Sequence, residues 1–390
     1  MKKLLIIANK EVFPALDGGS LAIQNLAQKF IKLDYKIDLL AITKKNDSLN
    51  KKIFKSTINN NINQIVFYKN MSLNLKALMK SLLCNNSYQA NRFYSRHIKD
   101  YIQMMIDKND YEIILFESIF TTVFLNKIKI KSSVKIILRA HNLEHEIWEN
   151  LSGKNFLKKS IYFVLALQIK KMEKTIPRDV DYIFTISNED FKFFKKLYPK
   201  KTHNIPVTFN VKKSEKQKIK NSIVHLGAMD WKPNLEGINW FLKSVFPKIL
   251  NSKHRINVYI AGKKMPAKYL KKQLKNTKIQ SEIANAESYI SNKEVLFVPL
   301  FSGSGIRIKI LEGMALGIPV ITTTKGAQGI PCSSGKNILI ADNADDFFDS
   351  IELLINDKNY AKKIGTNGQK IIQEHFSEMN VVTKINEILK

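Results

Sequence analysis

The chain has 390 residues, 44% of them hydrophobic, and a formal net charge of +29 at pH 7. That length allows two domains with proper cores, and the composition excludes a disordered or fibrous chain. No stretch approaches the ~20 apolar residues of a membrane span.

The charge itself is informative. Six of the 63 basic residues are arginine; the rest are lysines spread along the whole chain. Nucleic-acid proteins concentrate basic residues in patches with arginine or aromatic readers, so no nucleic-acid partner is expected. Compositional bias explains most of this charge, and attraction to an anionic membrane surface is the partner it leaves open. Cys84 and Cys332 are isolated, lack metal-ligand spacing and point to a reducing compartment. Met1-Lys-Lys-Leu-Leu-Ile-Ile-Ala8 has too short an apolar run for a signal peptide and reads as a first strand. A cytoplasmic protein, peripheral to the inner face of the membrane, is the expectation.

Taken in order, strand-like runs alternate with helical patterns, which predicts parallel α/β sheets. Strands are expected at residues 4–8, 37–42, 64–68, 112–116, 134–139 and 181–186. The pattern restarts after Val211-Lys-Lys-Ser-Glu-Lys-Gln-Lys-Ile-Lys220, a polar stretch that reads as a linker. Further strands follow at 223–226, 256–261, 295–300, 318–323 and 338–340. Two doubly wound domains are implied, 1–210 and 211–375, with a final helix over 376–390 able to pack back on the first domain. Ligands of such folds bind at the carboxyl ends of the strands.

The first strand leads into Phe13-Pro-Ala-Leu-Asp-Gly-Gly-Ser20 and a helix from about residue 21. Gly18 and Gly19 make either an anion-compatible turn or an ordinary β–α turn. The basic, partly amphipathic stretch 72–108 predicts helices packed on their own sheet, with an acceptor or a bilayer surface as the alternative.

His141 closes the fifth strand, where site residues of α/β folds collect. It either holds a sugar hydroxyl near a reacting centre or is a buried structural histidine. His141 and His145 could share a helix face, but a metal site lacks its further ligands, so no metal is expected. No G-x-S-x-G nucleophile elbow occurs.

The second domain opens with His225-Leu-Gly-Ala-Met-Asp-Trp-Lys-Pro-Asn234, where Gly227 turns the chain toward a helix started by Pro233. Its most informative stretch is Phe301-Ser-Gly-Ser-Gly-Ile-Arg-Ile-Lys-Ile-Leu-Glu-Gly-Met-Ala-Leu-Gly317. A strand, a turn of Gly303, Ser304 and Gly305, and a helix expected from about Ser304 or Gly305 make an anion site of free N–H groups. Lys309 and Glu312 lie about 60° apart on one polar strip. Arg307 falls on the apolar side and can reach a ligand only from an irregular first turn. A nucleotide diphosphate suits this set, with Glu312 as acceptor for ribose hydroxyls. A surface Lys309–Glu312 pair beside a plain turn is the other reading.

Together these pieces resemble a GT-B glycosyltransferase of family four, closest to bacterial enzymes that build surface polysaccharides. The likeness is carried in order by Leu16-Asp-Gly-Gly19, Ala140-His-Asn-Leu-Glu-His-Glu-Ile-Trp148, Gly227-Ala-Met-Asp-Trp-Lys-Pro-Asn234, the 303–320 stretch and Lys325-Gly-Ala-Gln-Gly-Ile330. It implies two Rossmann-like domains facing a central cleft and retaining transfer without an obligatory metal or other cofactor. The donor is a nucleotide sugar, UDP- or GDP-linked, bound by the second domain; a glycan or lipid-linked glycan acceptor sits on the first. It implies catalytic roles for His141, Arg307 and Lys309, and donor contacts from Gly18, Gly19, Gly227, Gly303, Ser304, Gly305 and Glu312. Two departures stand out. Ser304 replaces the first glutamate of a pair that many members carry, and Ala228 and Asn234 occupy the approximate places of a basic pair. A nucleotide-sugar epimerase of the same plan and a non-catalytic nucleotide-sugar-binding protein are the alternatives.

Overall fold

The structure is a computed structural model that describes all residues except 1, 16, 45–52, 73, 84–86, 150–155, 213–216 and 304. Cys84 and Ser304 therefore lie outside the described residues. The chain divides into two compact units, Met1–Val207 with Val381–Lys390, and Thr208–Asn380.

The first unit is built on β1 (Lys2–Ala8), β2 (Tyr35–Lys44), β3 (Ile53–Asn59), β4 (Ile62–Lys69), β5 (Ile113–Glu117), β6 (Lys135–Ala140), β7 (Tyr182–Thr185) and β8 (Thr202–Asn204). These form one sheet in the order β3-β4-β2-β1-β5-β6-β7-β8. All pairs are parallel except β3 with β4. After Lys2 and Lys3, β1 is apolar without a break from Leu4 to Ala8, buried on both faces, and these side chains alternate between two cores. Leu5 and Ile7 join one cluster; Leu4, Ile6 and Ala8 join the other. The Arg96–Lys108 helix covers the first face through Ile98, Ile102, Met105 and Ile106. The Gly18–Lys32 helix covers the second through Ile23, Leu26, Ala27 and Phe30. Val381, Ile385 and Leu389, from the Glu378–Leu389 helix, complete that same second core.

The second unit holds β9 (Ser222–Leu226), β10 (Asn257–Ala261), β11 (Thr277–Gln280), β12 (Val295–Val298), β13 (Val320–Thr322) and β14 (Leu339–Ile340). Their order is β11-β10-β9-β12-β13-β14, with every pair parallel. In each sheet the chain first steps outward on one side and then restarts on the other. The reversal falls between β1 and β5 in the first unit and between β9 and β12 in the second, and a crevice opens at the carboxyl ends there.

Three strands escape the sequence reading: β3, β8 and β11. β8 has three residues and β11 four, and β3 is a half-exposed strand paired antiparallel at the sheet edge. None carries the continuous apolar run that marks a buried parallel strand. The 72–108 stretch forms three helices, Leu75–Leu83, Tyr88–Asn91 and Arg96–Lys108.

Candidate active site

At the reversal point of the second sheet, β9 runs into Gly227 and β12 runs toward Gly303. A Cβ on Gly227 would lie 2.4 Å from the Lys309 Nζ and 2.7 Å from the Asn234 Nδ2, so only glycine leaves room for that pair. Asn234, in the Lys232–Trp240 helix, donates from Nδ2 to the Ala228 carbonyl at 2.8 Å. Its Oδ1 accepts from the Lys309 ammonium at 2.8 Å. Gly227, Asn234 and Lys309 thus form one cluster, joined across two loops. Asn234 is the ligand of the lysine, a role the sequence reading did not give it. Behind the cluster His225 is fully buried, its Nδ1–H donating to the Phe297 carbonyl at 3.1 Å. Burial, then Lys309, hold its pKa well below the usual histidine value.

The glycine turn holds Gly303 at φ +94 and Gly305 at φ +79, conformations that favour glycine. A Cβ on Gly303 would meet the Trp231 ring at 2.8 Å. The helix that follows is Ile308–Ala315. It starts later than the expected Ser304 or Gly305, because two positive φ values and an extended Arg307 keep the turn open. Arg307 is the cap residue, and its own side chain makes no cap hydrogen bond to this helix end. The Arg307 guanidinium is buried, donates to the Gly305 carbonyl at 2.5 Å and lies 5.5 Å from the Trp231 ring centre. It braces the turn from behind, and burial lowers its pKa to about 10.

Lys309 stands in the first helical turn and Glu312 one turn on, along the polar strip expected of them. Burial, followed by Arg307, lowers the Lys309 pKa to about 7, with Glu312 opposing. Burial raises the Glu312 carboxyl to about 7, with Lys309 pulling it back. A dehydrated cation at a helix N-terminus, with an acceptor one turn on, can take a diphosphate and a vicinal diol together.

In the first unit Gly18 and Gly19 open the Gly18–Lys32 helix and are part of its first turn, where the sequence reading placed them before the helix. Asp17 is the cap, accepting from the Ser20 N–H at 2.8 Å, and pairs with Lys10 at 3.1 Å. A carboxylate of the chain itself thus takes one donor of this helix end, and Gly19 makes room for Lys10, whose Nζ would lie 2.7 Å from a Cβ there.

His141 follows β6 and meets Glu117, the last residue of β5, through its Nε2. Glu117 is fully buried and also faces Arg139, with NH1 at 4.0 Å. This fixes the imidazole ring and leaves Nδ1 without a protein partner among the described residues. Glu117 was missed because the expected strand stopped one residue short; a carboxylate ending a buried apolar run at the carboxyl edge was the available signal. His145 does not share a helix face with His141. The helix begins at Glu144, and His145 pairs with Glu173 instead. Glu173 also accepts from the Glu144 N–H at 2.7 Å, while Asp190 accepts from the Leu143 N–H at 3.0 Å. Two carboxylates therefore clamp the segment that carries His141. Burial raises both Glu144 and Asp190 to about 7, and Glu173 adds to the rise at Glu144. Among the described residues no group of three or more His, Cys, Asp or Glu side chains is placed to hold a metal ion.

Residues 220–357 match the profile of a family described as glycosyl transferases group 1. The second unit carries a group 1 glycosyl transferase domain. Over the whole chain, an uncharacterized 44.6 kDa protein in the cps region of Klebsiella pneumoniae is 23% identical across 400 residues, spanning 99% of each chain. Sucrose-phosphate synthase from Thermosynechococcus elongatus matches at a TM-score of 0.71 and 13% identity, covering 100% of this chain and 98% of that one. TarM of S. aureus, solved with fondaparinux, alpha-GlcNAc-glycerol and UDP, matches at 0.69 and 11%, covering 100% of both chains. Anabaena HepE, solved with UDP-glucose, matches at 0.65 and 13%, covering 100% and 99%. These likenesses establish the GT-B fold over both units. With the group 1 domain in the second, the chain is a glycosyltransferase.

Proposed function

We propose that the chain moves a sugar from a nucleotide-diphosphate donor to a glycan or lipid-linked glycan acceptor, with retention, in bacterial surface-polysaccharide synthesis. The observation that carries this reading is the Gly227–Asn234–Lys309 cluster at the N-terminus of the Ile308–Ala315 helix, with Glu312 one turn away. UDP-sugars lead as donors, since TarM and HepE were solved with UDP or UDP-glucose. The relative from the cps region supports the polysaccharide setting.

In the reaction the bond from the anomeric carbon to the leaving phosphate oxygen breaks as a bond to the acceptor oxygen forms. The acceptor proton passes to the leaving diphosphate, so no protein nucleophile is needed. Lys309 and the helix N-terminus stabilise the developing charge, and Arg307 adds a positive field from behind the turn. Glu312 accepts from the ribose hydroxyls, and Gly303 and Gly305 let the diphosphate approach the backbone. In the first unit Glu117 orients His141 toward a sugar hydroxyl. A peripheral contact with an anionic membrane is supported by the +29 charge and by exposed Ile161, Phe163 and Leu167 on the lysine-rich Phe156–Thr175 helix. No described helix is long and apolar enough to cross a membrane.

A thermal-shift screen against UDP-, GDP-, ADP-, CMP- and dTDP-sugars tests the donor. At about 100 times its Kd the true donor adds about 2.7 kcal/mol of stability. Lys309→Ala and Glu312→Ala should each lower transfer by about a hundredfold while the protein stays folded. Unchanged rates in both variants would sink the assignment.

A further inference from the structure

The first unit contains a cleft of about 510 Å³ that none of the residues assigned above lines. Its walls are the carboxyl end of β4, the Leu75–Leu83 helix and the Tyr88–Asn91 helix with Arg92. The chemistry of the lining is one-sided. Lys69 and Arg92 bring two cations, and Asn70, Ser72, Asn74 and Asn91 bring three amides and a hydroxyl; among the described residues no carboxylate lines it. Neither cation is neutralised by a carboxylate among the described residues. The Lys69 ammonium donates to the Tyr94 carbonyl. The Arg92 guanidinium donates to Gln89 Oε1 at 2.8 Å and to the Met71 carbonyl, and its buried Nε has no hydrogen-bond partner among the described residues.

The cleft is also preformed. Tyr88 is 2% exposed; its hydroxyl accepts from the Asn74 N–H at 2.9 Å and its N–H donates to Gln168 Oε1 at 3.0 Å. These bonds tie the loop after β4 to the Tyr88–Asn91 and Phe156–Thr175 helices, so the walls stand without a ligand, and little ordering cost falls on binding. The volume lies within the range of small-ligand pockets, about 300–1,000 Å³.

Its place in the sheet matters. β4 ends on the same carboxyl edge as β6, which leads to His141. Four strand spacings, roughly 19 Å, separate the two strands. An occupant of the cleft is therefore remote from a hydroxyl reacting near His141. Unneutralised cations, Arg92 among them, suit a carboxylate or phosphate, and the amides and hydroxyls suit sugar hydroxyls.

We propose that this cleft is a remote acceptor subsite selective for an anionic sugar, a uronate or a sugar phosphate. The proposal rests on the reading that the first unit holds the acceptor. Binding energy gained here would orient the acceptor without touching the reacting atoms.

The test titrates glucuronate and galactose 1-phosphate into the full chain by ligand-observed NMR, with glucose, inorganic phosphate and UDP as controls. At least one anionic sugar should bind about tenfold or more tightly than glucose and inorganic phosphate, and saturating UDP should not displace it. Which one binds names the source of the charge. Asn70→Asp combined with Asn91→Asp puts two carboxylates on exposed wall positions and should weaken binding by about tenfold, with an unchanged melting curve. Asn91→Lys should retain or tighten it. Binding of glucose or inorganic phosphate as tight as that of the anionic sugars overturns the proposal. So does displacement by UDP, indifference to the double variant, or no saturable binding. Lost sugar binding with intact UDP-sugar binding removes the cleft alone; the reverse pattern removes the transferase reading alone.

Discussion

Lys309 holds its proton only weakly at neutral pH, and the cause is mainly the water it lacks: burial, then Arg307, bring its pKa to about 7. Between pH 7 and the ordinary lysine value near 10.5 the unfolded chain binds this proton and the folded chain does not. Stability therefore rises with pH across that window. Glu312 works the other way, its carboxyl raised to about 7 from 4.5 chiefly by burial. Between those values the folded chain keeps a proton that the unfolded chain has lost, and stability falls as pH rises. The two together place a stability minimum near pH 7 in the ligand-free protein. A bound diphosphate reverses the lysine term, because an adjacent anion favours the ammonium. UDP binding at pH 8 should therefore take up close to one proton, read by titration calorimetry in buffers of different ionisation enthalpy. Lys309→Met should abolish the uptake, and equal uptake in both proteins rejects the linkage. The polar strip shared by Lys309 and Glu312 was legible, since three residues of spacing put both on one helical stripe. Asn234 and Glu117 were not, because each acts through a partner 75 or 24 residues away that only the folded sheets bring near.

At the scale of the element, the site depends on backbones that touch. A Cβ on Gly237 would lie 1.7 Å from the Pro299 carbonyl, and one on Gly262 would lie 1.8 Å from the Gly227 carbonyl. Gly237 sits in the helix that carries Asn234, so this contact sets how close that helix comes to the end of β12. Gly237→Ala should force the helix outward at a cost of about 1–3 kcal/mol, measured by urea denaturation. It should also weaken UDP-sugar binding, because Asn234 moves away from Lys309. Wild-type stability and affinity together would show that the contact is slack. The alternation of strands and helices was legible because parallel strands are apolar on both faces. The start of the Ile308–Ala315 helix was not. Ile306, Arg307, Ile308 and Lys309 read as helical by composition, whereas the positive φ values at Gly303 and Gly305 show only in the folded chain.

The whole molecule is two sheets threaded by one chain, and the threading is not simply sequential. The second unit is a single continuous segment, Thr208–Asn380, whereas the first gathers Met1–Val207 and Val381–Lys390. The spacing of Val381, Ile385 and Leu389 marks a helix face, and the packed structure assigns that face to the core around β1. Removing residues 381–390 takes three buried side chains from that core, a loss on the order of 5 kcal/mol. Such a truncation should lower the melting of the first unit and leave UDP-sugar binding by the second intact. A single unshifted melting transition would contradict this division of the chain.

That threading has a consequence for biosynthesis. On the ribosome, strand β1 emerges first, yet the core it founds stays incomplete until Val381, Ile385 and Leu389 have been translated. The whole of Thr208–Asn380 must pass in between, a delay of roughly ten to thirty seconds at ordinary rates of elongation. The nascent first unit spends that interval with an apolar groove open beside β1, available to a chaperone. The unit begun first is finished last.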